Sequence, residues 1–379
     1  MKIEQIHKKT NQDWQKISDN QLGNQAQLVL ALGGREAIGH TSVFQELKAK
    51  YPNAAIVLGS TSGEIAGTEV HDNSVVATAI YFDKTKIKTS QTQLSAGESS
   101  TEAGQKLASE LNTPDLKHVF LLSDGLLVNG TDLVKGIESV LPSSVSVTGG
   151  LAGDGALFQT TLVGCNETPT TGKLVAIGFY GNDIKIGYGS YGGWTPFGAE
   201  RQVTKSVANI LYELDGKPAL ELYKTYLGDK ASELPASALL FPLSLQNENA
   251  ASGQLVRTIL SVDEAKQSLT FAGDIPEGST VRLMKSNIEH LVEGAETASE
   301  NSKKILDQDA QLAILVSCVG RKLVMGQRVE DETEAVQEVL GKQATIAGFY
   351  SYGELAPSSK GNICLLHNQT MTITLLSEV

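Results

Sequence analysis

The chain has 379 residues, of which 41% are hydrophobic and 20% are charged, and its net charge is −12. The length favours two domains, and the acidic charge argues against a surface for nucleic acid or for an anionic membrane. Three cysteines without a CxxC pair are typical of a reducing compartment, and we find neither a signal peptide nor an apolar run long enough to span a membrane, so we expect a cytoplasmic protein.

An internal repeat organises the first half of the chain. Two units, residues 28–90 and 119–190, align without gaps when the second is shifted by 90 positions. The shift aligns Gly59 with Gly149, Gly63 with Gly153 and Glu64 with Asp154. Each unit begins with an apolar run of strand length, continues through an amphipathic helix, and reaches a second short apolar run. We therefore predict a parallel, right-handed β-α-β arrangement in each unit.

A pair of apolar segments closes each of these units, and we predict that each pair forms a β-hairpin. The predicted hairpin strands are Val75–Phe82 with Lys86–Thr89 in the first unit, and Leu174–Tyr180 with Ile184–Tyr188 in the second.

The middle of the chain, residues 201–305, departs from this pattern and is predicted to be an insert. We expect helices at Val207–Leu214, Ala219–Tyr226 and Lys285–Leu306, and strands at Ala238–Phe241, Leu255–Val262, Ser268–Phe271 and Thr280–Met284.

A third unit is predicted at residues 310–379, with looser spacing. Its elements are the strand Leu312–Val316, the helix Thr333–Leu340, the strand Ala344–Ala347, and a hairpin of Ile363–Leu366 with Met371–Leu376. The predicted fold is α/β or mixed α+β, with repeated β-α-β-hairpin units that form helix-covered mixed sheets in two domains, residues 1–200 and 201–379.

Three loops share a pattern of glycine followed by an acid, and each comes after a strand that we predict to be parallel. Ligands collect at the carboxyl ends of such strands, where glycine exposes backbone N–H groups. The candidate ligand-binding residues in these loops are Ser62, Gly63 and Glu64, then Asp154, and finally Tyr350, Ser351 and Glu354. The alternative is structural, because glycines also make sharp turns and acids also cap the backbone.

Two arginines follow the first strand of a unit. Arg35 is expected near Glu64, and Arg321 is expected near Glu354, so that each pair would offer complementary groups to a zwitterion. Alternatively, each arginine pairs with its glutamate and fixes the loop.

Two further residues complete the candidate ligand site. Cys318 ends a predicted strand, where a cysteine is more often a small buried residue than a nucleophile. Trp194, in an aromatic segment, could wall a pocket or could pack in an interdomain joint. The histidines lack the spacing of metal ligands and no nucleotide-binding loop is present, so we expect neither a metal nor a cofactor.

The same segments resemble the FIST family, a bacterial two-part sensory module. VLGSTSGEI and the run from TGGLAGDG to GGWTPFG are similar to the FIST N-terminal domain, and GDIPEGSTVRL, SCVGRKLVMG and GFYSYGELAP are similar to its C-terminal domain. The resemblance implies a sensor that binds a small ligand such as an amino acid, and it brings no established catalytic residues.

We therefore expect a non-enzymatic sensor for signal transduction. Since no residues are left for an output domain, its output would pass through a signalling partner or through homo-oligomerisation. Two alternatives stay open, namely an enzyme that uses Cys318 or a loop carboxylate on a small metabolite, and a scaffold whose aromatic segments bind protein.

Overall fold

A computed structural model describes residues 1–10, 12–234, 236–246, 254–358 and 363–379. In the first half of the chain the helices are α1 (Arg35–Ile38), α2 (Thr41–Lys50), α3 (Ser100–Leu111) and α4 (Gly130–Glu138). The strands there are β1 (Lys2–Lys9), β2 (Gln15–Lys16), β3 (Leu28–Gly34), β4 (Ala55–Thr61), β5 (Glu64–Ala66), β6 (Glu69–His71), β7 (Ser74–Tyr81), β8 (Lys86–Gln93), β9 (Leu116–Ser123), β10 (Ser146–Leu151), β11 (Val163–Cys165), β12 (Lys173–Tyr180) and β13 (Ile184–Tyr191).

The described middle of the chain consists mainly of antiparallel strands and contains two α-helices. They are β14 (Thr195–Val207), β15 (Ile210–Leu214), β16 (Lys217–Pro218), α5 (Ala219–Leu227), β17 (Leu243–Gln246), β18 (Gln254–Arg257), β19 (Ile259–Asp263), β20 (Ser268–Phe271), β21 (Thr280–Lys285) and α6 (Ile288–Leu306). Strands β14 to β21 form a sheet of their own, which we call the insert sheet.

The C-terminal part of the chain forms the third unit. Its elements are β22 (Leu312–Cys318), α7 (Val319–Met325), α8 (Glu330–Leu340), β23 (Thr345–Ser351), β24 (Gly353–Pro357), β25 (Cys364–His367) and β26 (Met371–Glu378).

Within the described residues, three further sheets of six strands form the body of the protein. Their strand orders are β11-β4-β3-β7-β1-β2 for the first sheet, β25-β24-β10-β9-β12-β8 for the second, and β13-β26-β22-β23-β5-β6 for the third. The pairs β3–β4, β9–β10 and β22–β23 are parallel, as the β-α-β pattern predicts. The fold is therefore mixed α+β, as the sequence predicts.

The predicted hairpins are wrong, because the two strands of each pair enter different sheets. β7 pairs with β1 and β3 in the first sheet, whereas β8 pairs with β12 in the second. β12 pairs with β9, whereas β13 pairs with β26 in the third sheet. β25 likewise pairs with β24 and not with β26. Each short connection therefore leads from one sheet to another, and together these connections link the three units into one body.

Strands with near-continuous apolar sequences occupy the centre of each sheet, where both faces are covered. β3 and β22 are buried at every position, which is typical of strands enclosed on both sides. Leu30, Phe120 and Ile314, one from each sheet, belong to a single buried cluster between the sheets. The helices pack on the outer faces, with α2 on the first sheet, α3 and α4 on the second, and α6 and α8 on the third.

The insert differs from its prediction in three places. The predicted strand Leu255–Val262 is divided into two strands, β18 and β19, which pair with different neighbours. The other two differences are exchanges of helix and strand. Residues predicted as the helix Val207–Leu214 form a strand, β15, and those predicted as the strand Ala238–Phe241 form a 3-10 helix, Ala236–Leu240. Both segments are short and apolar, and for such segments periodicity separates helix from strand poorly. By contrast, α5, α6, β20 and β21 lie within a few residues of their predicted positions.

The aligned glycines Gly59 and Gly149 should respond differently to substitution by alanine. Gly149 has a φ of 145°, and an added Cβ would lie 2.0 Å from the backbone oxygen of Leu121. At Gly59 the Cβ would meet side-chain atoms of Leu122, of which Cδ2 is nearest at 2.6 Å, and a side chain shifts more readily than backbone. We expect Gly149→Ala to cost about 3 kcal/mol and Gly59→Ala about 1 kcal/mol in the free energy of unfolding, measured by urea denaturation. Equal losses would contradict this difference.

Candidate functional site

The three glycine-acid loops meet where the parallel strands of the three units end. They comprise residues 59–64, 149–154 and 348–354. The Ser62 N–H donates to the Tyr350 carbonyl at 2.8 Å, and the Tyr350 N–H donates to the Gly63 carbonyl at 2.9 Å. The Gly153 N–H donates to the Ser60 carbonyl at 3.0 Å. Backbone hydrogen bonds therefore join the first loop to both of the others, and the loops form one cluster.

Glu64 is fully buried and braces its own loop. Its Oε1 accepts a hydrogen bond of 2.6 Å from the Thr61 hydroxyl, and its Oε2 accepts one of 2.6 Å from the Ser74 hydroxyl. Burial raises the pKa of Glu64 to about 7, and the hydrogen bonds from Ser74 and Thr61 oppose that rise. The carboxyl thus connects the end of β4 to the start of β7.

Glu354 repeats this arrangement in the third unit. Its Oε1 accepts from the Ser351 hydroxyl at 2.7 Å, and its Oε2 accepts from the hydroxyl and the N–H of Thr370 at 3.0 and 3.1 Å. Burial raises the pKa of Glu354 to about 8, against the hydrogen bonds and the positive charge of Arg321. The same residue pattern therefore gives the same hydrogen bonds around a buried glutamate in the first and third units.

These two carboxyls should make the protein less stable as the pH rises. Each has a folded-state pKa above its unfolded value, so the folded state holds more protons between about pH 4.5 and pH 8. The stabilisation is present below that window and is lost as the pH rises through the folded pKa, at up to about 1.4 kcal/mol per pH unit and group.

The measurement is the urea midpoint at pH 5, 6, 7 and 8. Glu64→Gln with Glu354→Gln, which imitates the protonated forms, should flatten the profile, and Glu102→Gln at an exposed helical position should not. An unchanged slope in the double variant would contradict the assignment.

Asp154 connects all three units. Its carboxylate accepts hydrogen bonds from the backbone N–H groups of residues 158–160, at 2.9 to 3.1 Å, and from the Tyr352 hydroxyl. It also accepts from Arg35 Nη1 at 3.2 Å. Arg35 therefore forms its loop ion pair with the acid of the second unit and not, as expected, with Glu64.

Arg321 also departs from its expected pairing. It is fully buried, and its Nη2 and Nε atoms lie 2.8 and 3.0 Å from Oε2 of Glu332. The Tyr350 hydroxyl donates to Oε1 of the same carboxylate at 2.6 Å. Glu354 is close enough for Arg321 to lower its pKa, but the ion pair of Arg321 is with α8.

The remaining predicted site residues have structural contacts. The Ser62 hydroxyl donates to the Gly155 carbonyl at 3.2 Å and accepts from the Gly155 N–H at 3.1 Å. Cys318 is buried, and burial raises the pKa of its thiol. Trp194 lies outside the loop cluster, and its Nε1 donates to the Gln369 carbonyl at 2.7 Å.

Lys322 belongs to the cluster, although it is not among the residues predicted from the sequence. Its Nζ donates to the Ser62 carbonyl at 2.8 Å and to the carboxylate of Asp72, and it lies 5.5 Å from the centre of the Tyr350 ring. Its side chain is 16% exposed. Its position next to Arg321 after a strand was the available signal.

A cleft of two lobes opens beside this cluster, between the three-sheet body and the insert sheet. The larger lobe, about 350 Å³, is lined by Ala156, Phe158, Glu233, Ser237, Leu239, Leu240, Ile259, Leu260 and Leu323. The smaller lobe, about 230 Å³, is lined by Gly125, Leu126, Leu127, Val128, Asn129, Leu151, Phe158, Asn209, Leu260, Phe271, Ala272 and Tyr352. Phe158 and Leu260 are common to both lobes.

Phe158 connects the cleft to the loop cluster. Its ring stacks on that of Tyr352, with 4.4 Å between the ring centres and an angle of 14° between the planes. Its backbone has a φ of 52°, which is costly for an aromatic residue, and its N–H is held by Asp154. A residue that lines both lobes is therefore held by Asp154, the acid that joins the three units.

Comparison with known protein families assigns nearly the whole chain to one family. The FIST N domain matches residues 27–217, and the FIST C domain matches residues 219–357. The chain belongs to the FIST family, whose domains are associated with signal-transduction sensors that bind small ligands.

Two individual proteins are similar to this chain. An uncharacterized protein of Methanocaldococcus jannaschii is 25% identical over 239 residues, which cover 56% of this chain and 45% of that protein. The crystal structure of a cyanuric acid hydrolase from A. caulinodans aligns over 93% of this chain and 90% of its own, with a TM-score of 0.30 and 8% identity. Among the described residues, no helix combines the length and apolar character needed to cross a membrane.

Proposed function

We propose that this protein is a non-enzymatic sensor whose ligand, an amino acid or a related metabolite, binds in the two-lobed cleft. The observation that carries the proposal is the position of the cleft. Loops of the body line one side of it and the insert lines the other, so that a ligand would contact both. Cavities at such joints, mostly apolar and with a few polar groups, are typical of small-molecule sites.

The lining favours a small molecule with an apolar part and an amino group. Leu239, Leu240 and Leu260 provide apolar contact, while Glu233 and Ser237 provide acceptors at the edge of the larger lobe. The Glu233 carboxylate is 2.8 Å from Nζ of Lys230, which lies outside the lining, so an amino group of the ligand would compete with this lysine for the carboxylate.

Phe158 provides a route from the cleft to the rest of the protein. A ligand that displaces its ring from Tyr352 would change the hydrogen bonds that both residues make to Asp154. Asp154 in turn holds Arg35 of the first unit. The output would then pass to a signalling partner or through self-association, and the free thiols of all three cysteines support a cytoplasmic setting.

The alternative, an enzyme that uses Cys318 or a loop carboxyl, has less support. A thiolate is the nucleophilic form, and burial raises the pKa of Cys318. The loop carboxyls Glu64 and Glu354 are buried and already accept hydrogen bonds on both oxygens.

A thermal-shift screen tests the proposal. The twenty amino acids and their decarboxylated and amidated derivatives are added to the wild type and to Phe158→Ala, because a ligand at 100 times its Kd stabilises by about 2.7 kcal/mol. We expect stabilisation of the wild type by a subset with apolar side chains, and a weaker response in the variant. No response from the wild type to any compound would overturn the proposal.

A further inference from the structure

The three units meet at three corners, where the segment after the first strand of one unit faces the glycine-acid loop of the next. At the first corner, Arg35 of the first unit pairs with Asp154 of the second. At another, Lys322 of the third unit contacts the Ser62 carbonyl and Asp72 of the first. At each of these two corners, a basic side chain therefore contacts an acidic residue of the neighbouring unit.

The third corner, between the second and third units, is built differently. The segment of the second unit that follows β9 is residues 124–129, Asp-Gly-Leu-Leu-Val-Asn, which has no basic residue. Its one acid, Asp124, is buried and accepts hydrogen bonds from the backbone N–H groups of Leu126, Leu127 and Gly172. Leu127 follows Ser123, the last residue of β9, by four positions, as Lys322 follows Cys318, the last residue of β22. Leu127 thus stands where the lysine would be, and the smaller lobe of the cleft lies at this corner.

The third corner also has an asparagine, Asn368, where the corner of Lys322 has the acid Asp72. Asp72 precedes Val75 by three residues, and Val75 pairs with Gly33 of β3. Asn368 precedes Met371 by three residues, and Met371 pairs with the equivalent Ser317 of β22. Asn368 therefore occupies the position of Asp72, and the residues that follow, Asn73 and Gln369, share a left-handed backbone with φ of 54° and 64°.

Asn368 and Gln369 contain unpaired polar atoms in the described part of the chain. Both are fully buried, yet neither the Oδ1 nor the Nδ2 atom of Asn368 has a hydrogen-bond partner, and Oε1 of Gln369 also has none. Nε2 of Gln369 donates to the carbonyl of Leu239, which lines the larger lobe. A buried polar atom without a partner costs about 1–3 kcal/mol, so a cluster of three requires an explanation.

We propose that this third corner is the polar end of the ligand site. Asn368 directly follows His367, which pairs with Glu354 of the third glycine-acid loop, and Tyr352 of that loop lines the smaller lobe. The ligand fills the place that the Lys322 side chain fills at the equivalent corner, and Asn368 recognises it. Because leucine and asparagine replace the charged pair, the matching ligand group is neutral and both donates and accepts hydrogen bonds, as a carboxamide does, on an apolar body that fills the smaller lobe. This inference rests on the proposed function, since it names the chemistry of the ligand in the same cleft.

Three probes of one shape test the charge preference. Benzamide is neutral, benzoate is an anion and benzamidine is a cation, and all share a ring of similar size. Binding is measured by saturation-transfer NMR and thermal shift on the full chain. We expect benzamide to bind at least about tenfold more tightly than the charged probes, because a buried carboxamide does not neutralise an ion.

Two variants locate the binding. Asn368→Leu removes the unpaired amide at similar volume, and it should weaken benzamide about tenfold or more without loss of stability in the free protein. Ala272→Phe fills the smaller lobe from the insert side and should also abolish binding. Asp72→Asn, at the equivalent corner, is the matched control and should bind benzamide as the wild type does.

Three results would overturn the inference: equal binding of the three probes, no binding of benzamide, or unchanged binding of benzamide by Asn368→Leu. The last result would indicate that the Asn368 amide holds only a water molecule. Amino-acid stabilisation that survives Asn368→Leu would leave the sensor function in place and would reject only this corner. If benzamide binds but no amino acid or derivative stabilises the protein, the proposed ligand class is rejected, and the third corner remains a binding site for a carboxamide.

Discussion

Replacing Glu332 with alanine is expected to lower the free energy of unfolding by about 3–5 kcal/mol, because it leaves the buried guanidinium of Arg321 without its counter-charge. Arg321 is fully enclosed, and Glu332 accepts from both its Nε and Nη2 atoms. The guanidinium also donates to the carbonyls of Gly192 and Leu291, so that its displacement would loosen the contact of α6 with the third unit.

Urea denaturation measures this loss, and two variants interpret it. Glu334→Ala, at an exposed position of the same helix, should change stability by less than about 0.5 kcal/mol. Arg321→Met combined with Glu332→Leu should be less destabilised than Glu332→Ala alone, because the double variant leaves no buried charge unpaired. A Glu332→Ala protein as stable as the Glu334→Ala protein would show that solvent reaches Arg321.

Replacing Asp154 with alanine should have an effect of similar size, about 3–5 kcal/mol, and should also release a loop. The substitution removes the acceptor for the N–H groups of residues 158–160, for the Tyr352 hydroxyl and for Arg35. Hydrogen bonds to a charged group contribute about 1.5–3 kcal/mol each, although water would replace part of that at this loop.

Hydrogen exchange distinguishes this effect from a general loss of stability. Residues 155–160 should lose protection in Asp154→Ala under conditions where the central strand β9 stays protected. Asp183→Asn, at an exposed position paired with Lys84, is the control and should leave both regions unchanged. Uniform loss of protection across the chain would mean that Asp154 acts on global folding and not on this loop.

The order of the elements within each unit could be predicted because it depends on local pattern. Apolar runs such as Leu28–Leu32, helix periodicity and glycine-rich loops are properties of neighbouring residues, and the 90-residue shift made the same pattern visible twice. The parallel pairing of β3 with β4 followed from the handedness of β-α-β connections.

The partners of the closing strands could not be predicted. Val75–Phe82 and Lys86–Thr89 have the composition and short connection of a hairpin, and no local property shows that β8 instead pairs with β12. That choice is made by the apolar core shared by the three sheets, which only the assembled chain contains.

The site shows the same division. The sequence by itself determined the three glycine-acid loops and their position after strands that pair in parallel, since both depend on residue type and order along the chain. Only the tertiary structure showed that the three loops meet, through backbone hydrogen bonds between different units. Only the tertiary structure decided that Arg35 pairs with Asp154 and Arg321 with Glu332, and that Lys322 closes one corner while Leu127 leaves another open. The physical reason is that an ion pair forms between the groups that packing brings within about 4 Å, and spacing along the chain does not encode which units become neighbours.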